Sequence, residues 1–321
     1  MECESLARAE AMSACNALGS RPAVIDSDPG VLIVDTTADP AELGARLALC
    51  HHISEWLGSD AHGKVDSLAH SIDVPGPIRV RSTKVGLAKE GVDLQGMSQH
   101  LGGIIGKGRG VDLHRPGSDI RVVFSDRAHI GRVLCSIDRS AFEKRKNNRM
   151  PFRYPVSLHP KFARSLVNLT QVPKGRRLLD PFCGTGAIVA EAAMLGLDAV
   201  GTDLSEKMIQ GAQTNLSHLR VRARLSVSDV GDISSVVSEA DGIATDPPYG
   251  RSTSTNGESI PQLYKRSFDS FAAVLRKGSR IATIFPDMGM VDDASDFRLV
   301  GHHSLWVHRS LTRNFCVLER I

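Results

Sequence analysis

The stretch Leu178-Leu179-Asp180-Pro181-Phe182-Cys183-Gly184-Thr185-Gly186-Ala187-Ile188-Val189 decides how this chain folds. It reads as a buried strand, a glycine turn and a helix. Leu178 and Leu179 close an apolar run, and the Gly-Thr-Gly turn lets backbone approach a ligand with no Cβ in the way. Ala187 to Leu195 is Ala-rich, predicts a helix and is closed by Gly196. Ala199 to Thr202 predicts a second strand that ends on Asp203, 23 residues after Asp180. That spacing suits a ribose-binding carboxylate in a doubly wound sheet.

The nicotinamide fingerprint needs a third glycine five places after the first, and counted from Gly184 that place is Val189. A carboxylate at Asp180 sits badly beside a pyrophosphate and well beside a cation. S-adenosylmethionine carries a sulfonium and an amino group, so the turn is read as its site. The bland alternative is a Gly-rich βα turn that binds nothing.

The second anchor is Asp246-Pro247-Pro248-Tyr249-Gly250, 66 residues after Asp180, at the end of a short strand candidate, Gly242 to Thr245. Two prolines lack N–H groups and stiffen the chain, while their carbonyls stay available as acceptors. An acid, an exposed carbonyl and an aromatic face make a receptor for a flat base that bears an amino group. Alone, Asp-Pro-Pro is a common turn; after a cofactor turn, at a fourth strand end, it points to chemistry.

With these anchors the chain resembles the amino-methyltransferases, in the Asp-Pro-Pro-Tyr form rather than the commoner Asn-Pro-Pro-Tyr. Ser157-Leu158-His159-Pro160-Lys161 and His308-Arg309-Ser310-Leu311-Thr312-Arg313, together with Ile137 to Phe142 upstream, narrow the likeness. The set resembles the archaeal tRNA guanine-10 N2-methyltransferases over most of the chain. The resemblance implies an α/β fold: a Rossmann-like methyltransferase sheet with a C-terminal antiparallel hairpin, preceded by an α+β region with a THUMP domain. The implied limits are 1–70 for a ferredoxin-like domain, 71–142 for THUMP, 143–156 for a basic linker and 157–321 for the methyltransferase. Similar proteins start with a strand before the first helix, and here that strand is not evident.

Composition bounds the rest. The chain has 321 residues, 41% of them hydrophobic, and no apolar run near the length of a membrane span. The N-terminus is acidic and lacks an apolar core, so no secretory signal is expected. Cysteines at 3, 15, 50, 135, 183 and 316 show no CxxC pair, which predicts neither a zinc site nor a disulfide framework and fits a reducing cytoplasm. The net charge of +3 conceals an asymmetry. Residues 1–75 hold 4 Lys/Arg against 12 Asp/Glu, and residues 76–153 hold 16 against 7. A middle this basic is the footprint of a polyanion, or else a solvated face.

Along the chain, Glu4 to Leu18 predicts a helix, Gly30 to Asp35 a strand, and Asp39 caps a helix that begins at Pro40 and runs through Leu49. His51 and His52 are read as its last turn, and Ser59 to His70 as a loop or short helix. Ile78 to Thr83, Ile120 to Phe124 and Gly131 to Ile137 predict strands, with a helix over Met97 to Ile105. This set resembles THUMP, whose family role is to hold the 3′ end of tRNA. Lys107 and Arg109, among Gly106, Gly108 and Gly110, are candidates for phosphate. Lys144, Arg145, Lys146 and Arg149 are candidates to steer RNA. The loop Arg251 to Ser259 is expected to order on RNA.

The resemblance assigns the cofactor to Asp180, Pro181, Cys183, Gly184, Gly186, Asp203 and Asp229, the last taking the adenine amino group. For His159, contact with cofactor or base and a capping role both stay open. Asp246, Pro247, Pro248 and Tyr249 carry catalysis, with no metal. No Gly-x-x-x-x-Gly-Lys loop occurs, so ATP use is not expected, which weighs against a tRNA thiolase. The alternatives are methylation of adenine N6 or of ribosomal RNA guanine N2, and an inactive tRNA-binding protein. Whether the chain acts as a monomer or with a small protein activator is left open.

Overall fold

The computed structural model describes residues 3–86, 93–155, 157–249, 258–291, 294–308 and 311–321. Its first element is helix α1 (Glu4–Ala17), followed by an antiparallel hairpin of β1 (Ala23–Asp28) and β2 (Val31–Asp35). Asp39 caps α2 (Pro40–Arg46) as its sequence predicts, accepting from the Ala41 and Glu42 N–H groups at 2.9 Å. Then come β3 (His52–Asp60), α3 (Val65–His70), β4 (Ile78–Lys84), α4 (Leu94–Ile105), β5 (Ser118–Phe124) and β6 (Ala128–Ser136). These strands form a sheet of order β3-β6-β5-β4, in which only β4 and β5 are parallel. Val65 and Ala69 of α3 and Leu101 and Ile105 of α4 pack with Ile78, Ile120 and Ile130 in one core.

Strand β3 corrects the expectation that His51 and His52 end a helix. Its pairing with β6 shifts register between Ile53 and Ser54 and again between Trp56 and Gly58. Each bulge resets the two-residue alternation, so no run of alternating residues marks the strand in the sequence.

Residues Arg21–Gly44 and Cys50–Ile137 form one compact unit; Glu2–Ser20, Ala45–Leu49 and Asp138–Ile321 form the other. The expected domain 1–70 is therefore divided, and a buried acid explains why. Glu10 of α1 accepts from the N–H groups of Ala48 and Leu49 at 3.1 and 2.9 Å and from the Asn168 amide at 3.0 Å. A buried carboxylate deprived of these donors is costly, so both segments stay with the second unit. The same bonds draw the chain out of helix at Arg46, short of the expected Leu49.

The second unit continues with α5 (Ser140–Lys144), α6 (Pro160–Leu169), β7 (Arg177–Asp180), α7 (Ala187–Met194), β8 (Asp198–Asp203) and α8 (Glu206–Leu219). It ends with β9 (Arg224–Val227), α9 (Ile233–Val236), β10 (Ala240–Thr245), α10 (Ile260–Val274), β11 (Leu275–Phe285), β12 (Phe297–His308) and β13 (Leu311–Arg320). The sheet order is β12-β13-β11-β10-β7-β8-β9. Strands β7 to β11 run parallel, and the β12–β13 hairpin joins antiparallel through β13. One core cluster gathers Leu166, Leu178, Val189, Ala244 and Phe315; a second gathers Leu179, Ile243, Phe268, Phe271 and Phe285. The chain departs from β7 towards β8 and returns at β10 on the other side. In a doubly wound sheet such a reversal leaves a crevice beyond the carboxyl ends of the strands, here β7 and β10.

The described part of the expected linker 143–156 is structured. The Phe152 N–H donates to the Asn215 side chain at 3.0 Å, and the Asn215 amide returns a bond to the Phe152 carbonyl at 3.1 Å. A Cβ on Gly211 would strike the Phe152 ring, so this glycine of α8 is where the ring lies.

Candidate active site

Asp180 ends β7 and is 1% exposed. Its Oδ1 accepts from the Thr245 hydroxyl at 2.8 Å and from the Phe182 N–H at 3.3 Å. Thr245 is the last residue of β10, so this bond ties the two strand tips that the sequence singled out. Burial pushes the Asp180 carboxyl up to about 8; the Thr245 and Phe182 bonds oppose the shift, and the acids Asp246 and Asp203 add to it. The glycine turn follows. Gly184 and Gly186 take φ of 50° and 84°, the left-handed region that glycine enters without strain. A Cβ on Gly184 would meet nothing within 4 Å, so backbone there borders open space; one on Gly186 would press on Ala212 of α8 at 3.1 Å. Cys183 is buried, and its N–H and carbonyl bond to the Thr202 carbonyl and the Gly186 N–H. Burial drives its thiol well up, so it stays protonated and packs rather than reacts. The Pro181 carbonyl accepts from the Thr202 hydroxyl at 3.4 Å.

Asp203 ends β8. Its oxygens accept from the Gly184 and Ser205 N–H groups, each at 2.9 Å, so the acid shapes the turn from outside. Burial raises its carboxyl. These features meet what a cationic nucleoside requires: one buried and one half-buried acid, a turn without side-chain obstruction and carboxylate lone pairs for ribose hydroxyls.

Asp246 and Tyr249 lie at the tip of β10. The Tyr249 hydroxyl donates to Asp246 Oδ1 through a short bond. Among the described residues nothing donates to Oδ2. Burial raises the Asp246 carboxyl, against the Tyr249 bond and the charge of Arg313; burial also lifts the Tyr249 phenol far up, so it remains a donor. The Tyr264 hydroxyl of α10 donates to the Pro248 carbonyl at 3.3 Å, which anchors the rigid Pro-Pro turn from behind. Gly250 and residues 251–257 of the loop expected to order on RNA lie outside the described residues, as do Arg309 and Ser310.

Other expected residues have partners within the protein. His159 caps α6: its Nδ1 accepts from the Lys161 N–H at 3.2 Å, and its Nε2 faces Glu143 at 3.2 Å. Asp229 accepts from the Gly231 N–H at 2.7 Å and is gripped by Arg266, which also binds Glu258. Despite burial, that grip holds the Asp229 carboxyl below its usual range.

Arg145 has a partner within the fold. It binds Glu191 with two bonds of 2.8 and 3.2 Å, and Arg164 reaches the same carboxylate at 2.7 Å. Glu191 is 1% exposed, so Arg145 serves the fold. Lys146 pairs with Glu143, while Lys144 and Arg149 are exposed. In the first unit, Arg109 donates to the Ile105 carbonyl at 3.0 Å and pairs with Asp73, while Lys107 is exposed.

Thr245, Tyr264 and Asn215 escaped the sequence reading. Asn215 donates to the Thr185 carbonyl at 3.1 Å as well as holding Phe152. Thr245 had a signal, a hydroxyl one residue before the acid of a strand tip. Tyr264 and Asn215 had none, because their partners are backbone groups distant in sequence.

Among the described residues no cluster of His, Cys, Asp and Glu is arranged to hold a metal ion, and no helix is long and apolar enough to cross a membrane.

Residues 147–314 match the family described as RMKL-like, methyltransferase domain. The chain is 36% identical to the tRNA (guanine(10)-N2)-dimethyltransferase of Methanothermobacter thermautotrophicus, over 98% of its own length and 96% of the relative's. It is 35% identical to the protein of that name from Pyrococcus abyssi, over 90% and 89%. Among solved structures, TrmN from Thermus thermophilus matches with a TM-score of 0.52 and 24% identity, covering 90% of this chain and 89% of that one. SMU.472, a putative methyltransferase complexed with SAH, matches at 0.53 with 15% identity, covering 98% and 95%. Both share the fold.

Proposed function

This chain belongs to the tRNA (guanine(10)-N2)-dimethyltransferase family, and we propose that it methylates N2 of guanosine 10 in tRNA with S-adenosylmethionine as donor. The observation that carries this is the 2.8 Å bond from Thr245 to Asp180, which sets the cofactor turn beside the Asp-Pro-Pro-Tyr tip. Asp180, Gly184, Gly186 and Asp203 would hold the cofactor. When bound, S-adenosylmethionine supplies an electrophilic methyl group on a sulfonium.

The chain's own residues prepare the amine. Guanine N2 is a poor nucleophile because its lone pair is delocalised into the ring. Asp246 Oδ2 and the Pro247 carbonyl accept its two hydrogens, which bends the nitrogen towards a pyramid and aims the lone pair. With its carboxyl raised by burial, Asp246 is a stronger base than a surface carboxylate and takes the proton the amine sheds. Tyr249 holds the other carboxylate oxygen and turns its ring to the extruded base, a contact worth about 1–3 kcal/mol. A monomethylated N2 retains one hydrogen for Asp246, so a second round gives the dimethyl product. The first unit serves as the THUMP domain and carries Lys107 towards the tRNA. The setting is the cytoplasm, where tRNA is matured and free thiols persist.

The test is nucleoside mass spectrometry of an unmodified tRNA transcript after incubation with protein and S-adenosylmethionine. N2-methylguanosine is expected first and N2,N2-dimethylguanosine later, at position 10. Asp246→Ala is expected to slow transfer by about a hundredfold to ten-thousandfold while tRNA binding persists. Methyl groups on adenine, or none on tRNA, would overturn the reading; a near wild-type rate in the variant would remove Asp246 as the base.

A further inference from the structure

We propose that Arg313 reads the target base, donating to the O6 and N7 edge of the guanine whose N2 lies on Asp246. The inference rests on the function proposed above and adds how the site tells guanine from other amino-bearing purines.

Arg313 stands at the start of β13, and the sheet register fixes its level. Thr245 of β10 is level with Thr283 of β11, and Thr283 with Cys316 of β13. Strand β13 runs the other way, so Arg313 lies three residues beyond this row, as does Pro248. It therefore sits on the rim of the crevice, at the height of the Asp-Pro-Pro-Tyr turn. Side chains alternate along a strand, which puts Arg313 on the face of Phe315 and Val317. Those two belong to the core cluster against which Tyr249 packs, whereas Cys316 and Leu318 belong to the other.

Among the described residues no carboxylate is paired with the Arg313 guanidinium, and its Nε is buried without a hydrogen-bond partner. Its charge is nevertheless felt at Asp246 and at Tyr249, where it opposes the rise that burial causes. Tyr249 already occupies Asp246 Oδ1, so Arg313 is near the carboxylate without being consumed by it. A buried donor with no acceptor is costly unless a ligand supplies one. The planar fork of arginine, all donors, matches the O6 and N7 acceptors of guanine. Adenine presents an amino donor at that place and opposes it.

The test uses tRNA carrying 2,6-diaminopurine at position 10. This base keeps the N2 amine but puts an amino group where guanine has O6. Wild type is expected to favour guanine in kcat/KM by about tenfold to a hundredfold. Arg313→Ala and Arg313→Gln are expected to bring that ratio close to one, mainly through loss on guanine, and Arg313→Lys to retain part of it. A structural role, or a contact with the RNA backbone, lowers both substrates alike. A ratio unchanged in the variants overturns the proposal, and so does a wild type that accepts both bases equally. The ratio is internal to each protein, so residual activity suffices to measure it. No transfer to either base by wild type is a separate result and overturns the underlying function.

Discussion

Two charged regions of the second unit have settled their charges differently. At the tips of β7 and β10, Asp180 and Asp246 are held by hydroxyls and a backbone N–H, and no cation forms an ion pair with either among the described residues. In segment 143–153 two cations are matched instead. Arg145 is matched to Glu191, and Lys146 to Glu143, which His159 also faces. A charge matched within the fold stabilises the fold; an acid held by neutral donors alone is left for a cationic ligand to ionise. The difference lies in the partners, because both regions carry dense charge.

The strongest test of that contrast is Arg145→Ala. Were Arg145 an RNA contact, its loss would weaken tRNA binding and leave stability alone. As the partner of a buried carboxylate, its loss leaves Glu191 with Arg164 only. Removing one member of a buried pair costs about 3–5 kcal/mol, and the remaining arginine places this case at the low end. The melting temperature of the protein is expected to fall by several degrees, with tRNA affinity of the folded fraction little changed. An unaltered melting curve would break the comparison.

The next effect is at Asp180. Its carboxyl, pushed up to about 8 by burial, is largely protonated at pH 7. The sign is that of a raised acid: its contribution to stability is full below the ordinary carboxylate range and is lost as pH rises through about 8. A cationic ligand acts the other way, favouring the carboxylate and expelling the proton. Binding of S-adenosylmethionine at pH 7 is therefore expected to release close to one proton, seen as a dependence of calorimetric heat on buffer ionisation enthalpy. Asp180→Asn is expected to abolish most of that release. Equal heats in two buffers would show that the acid is already ionised, and that hydroxyls and N–H groups suffice to hold it so.

What could be read from residues alone follows the same divide. The strand, glycine turn and helix from Leu178 to Val189 were legible because a local pattern fixes them, and Asp246 because two prolines and a strand end confine it. Strand β3 was hidden by its bulges. The pairing of Arg145 was not legible because its partner, Glu191, is 46 residues away and on another helix. Composition counts charges and is blind to pairing. Glu10 shows the same blindness, since an acid on a predicted helix is buried and raised to about 7 by desolvation. Thr245 and Tyr264 were missed because each acts on an atom that only the tertiary fold brings within reach.

The smallest effect sharpens the comparison most, because it separates neighbours on one segment. Lys144 and Arg149 are exposed, while Arg145 and Lys146 between them are paired. A phosphate contact releases counterions, so its loss shows in the salt dependence of binding more clearly than in affinity at one salt concentration. The double variant Lys144→Ala and Arg149→Ala is expected to reduce the slope of log affinity against log salt by about 2, one for each side chain. Its melting temperature should not move, because neither residue is buried. Arg145→Ala is expected to do the reverse, with slope kept and stability lost. If all three substitutions change the slope equally, the pairing of Arg145 with Glu191 gives way when RNA arrives, and the segment is a polyanion site after all.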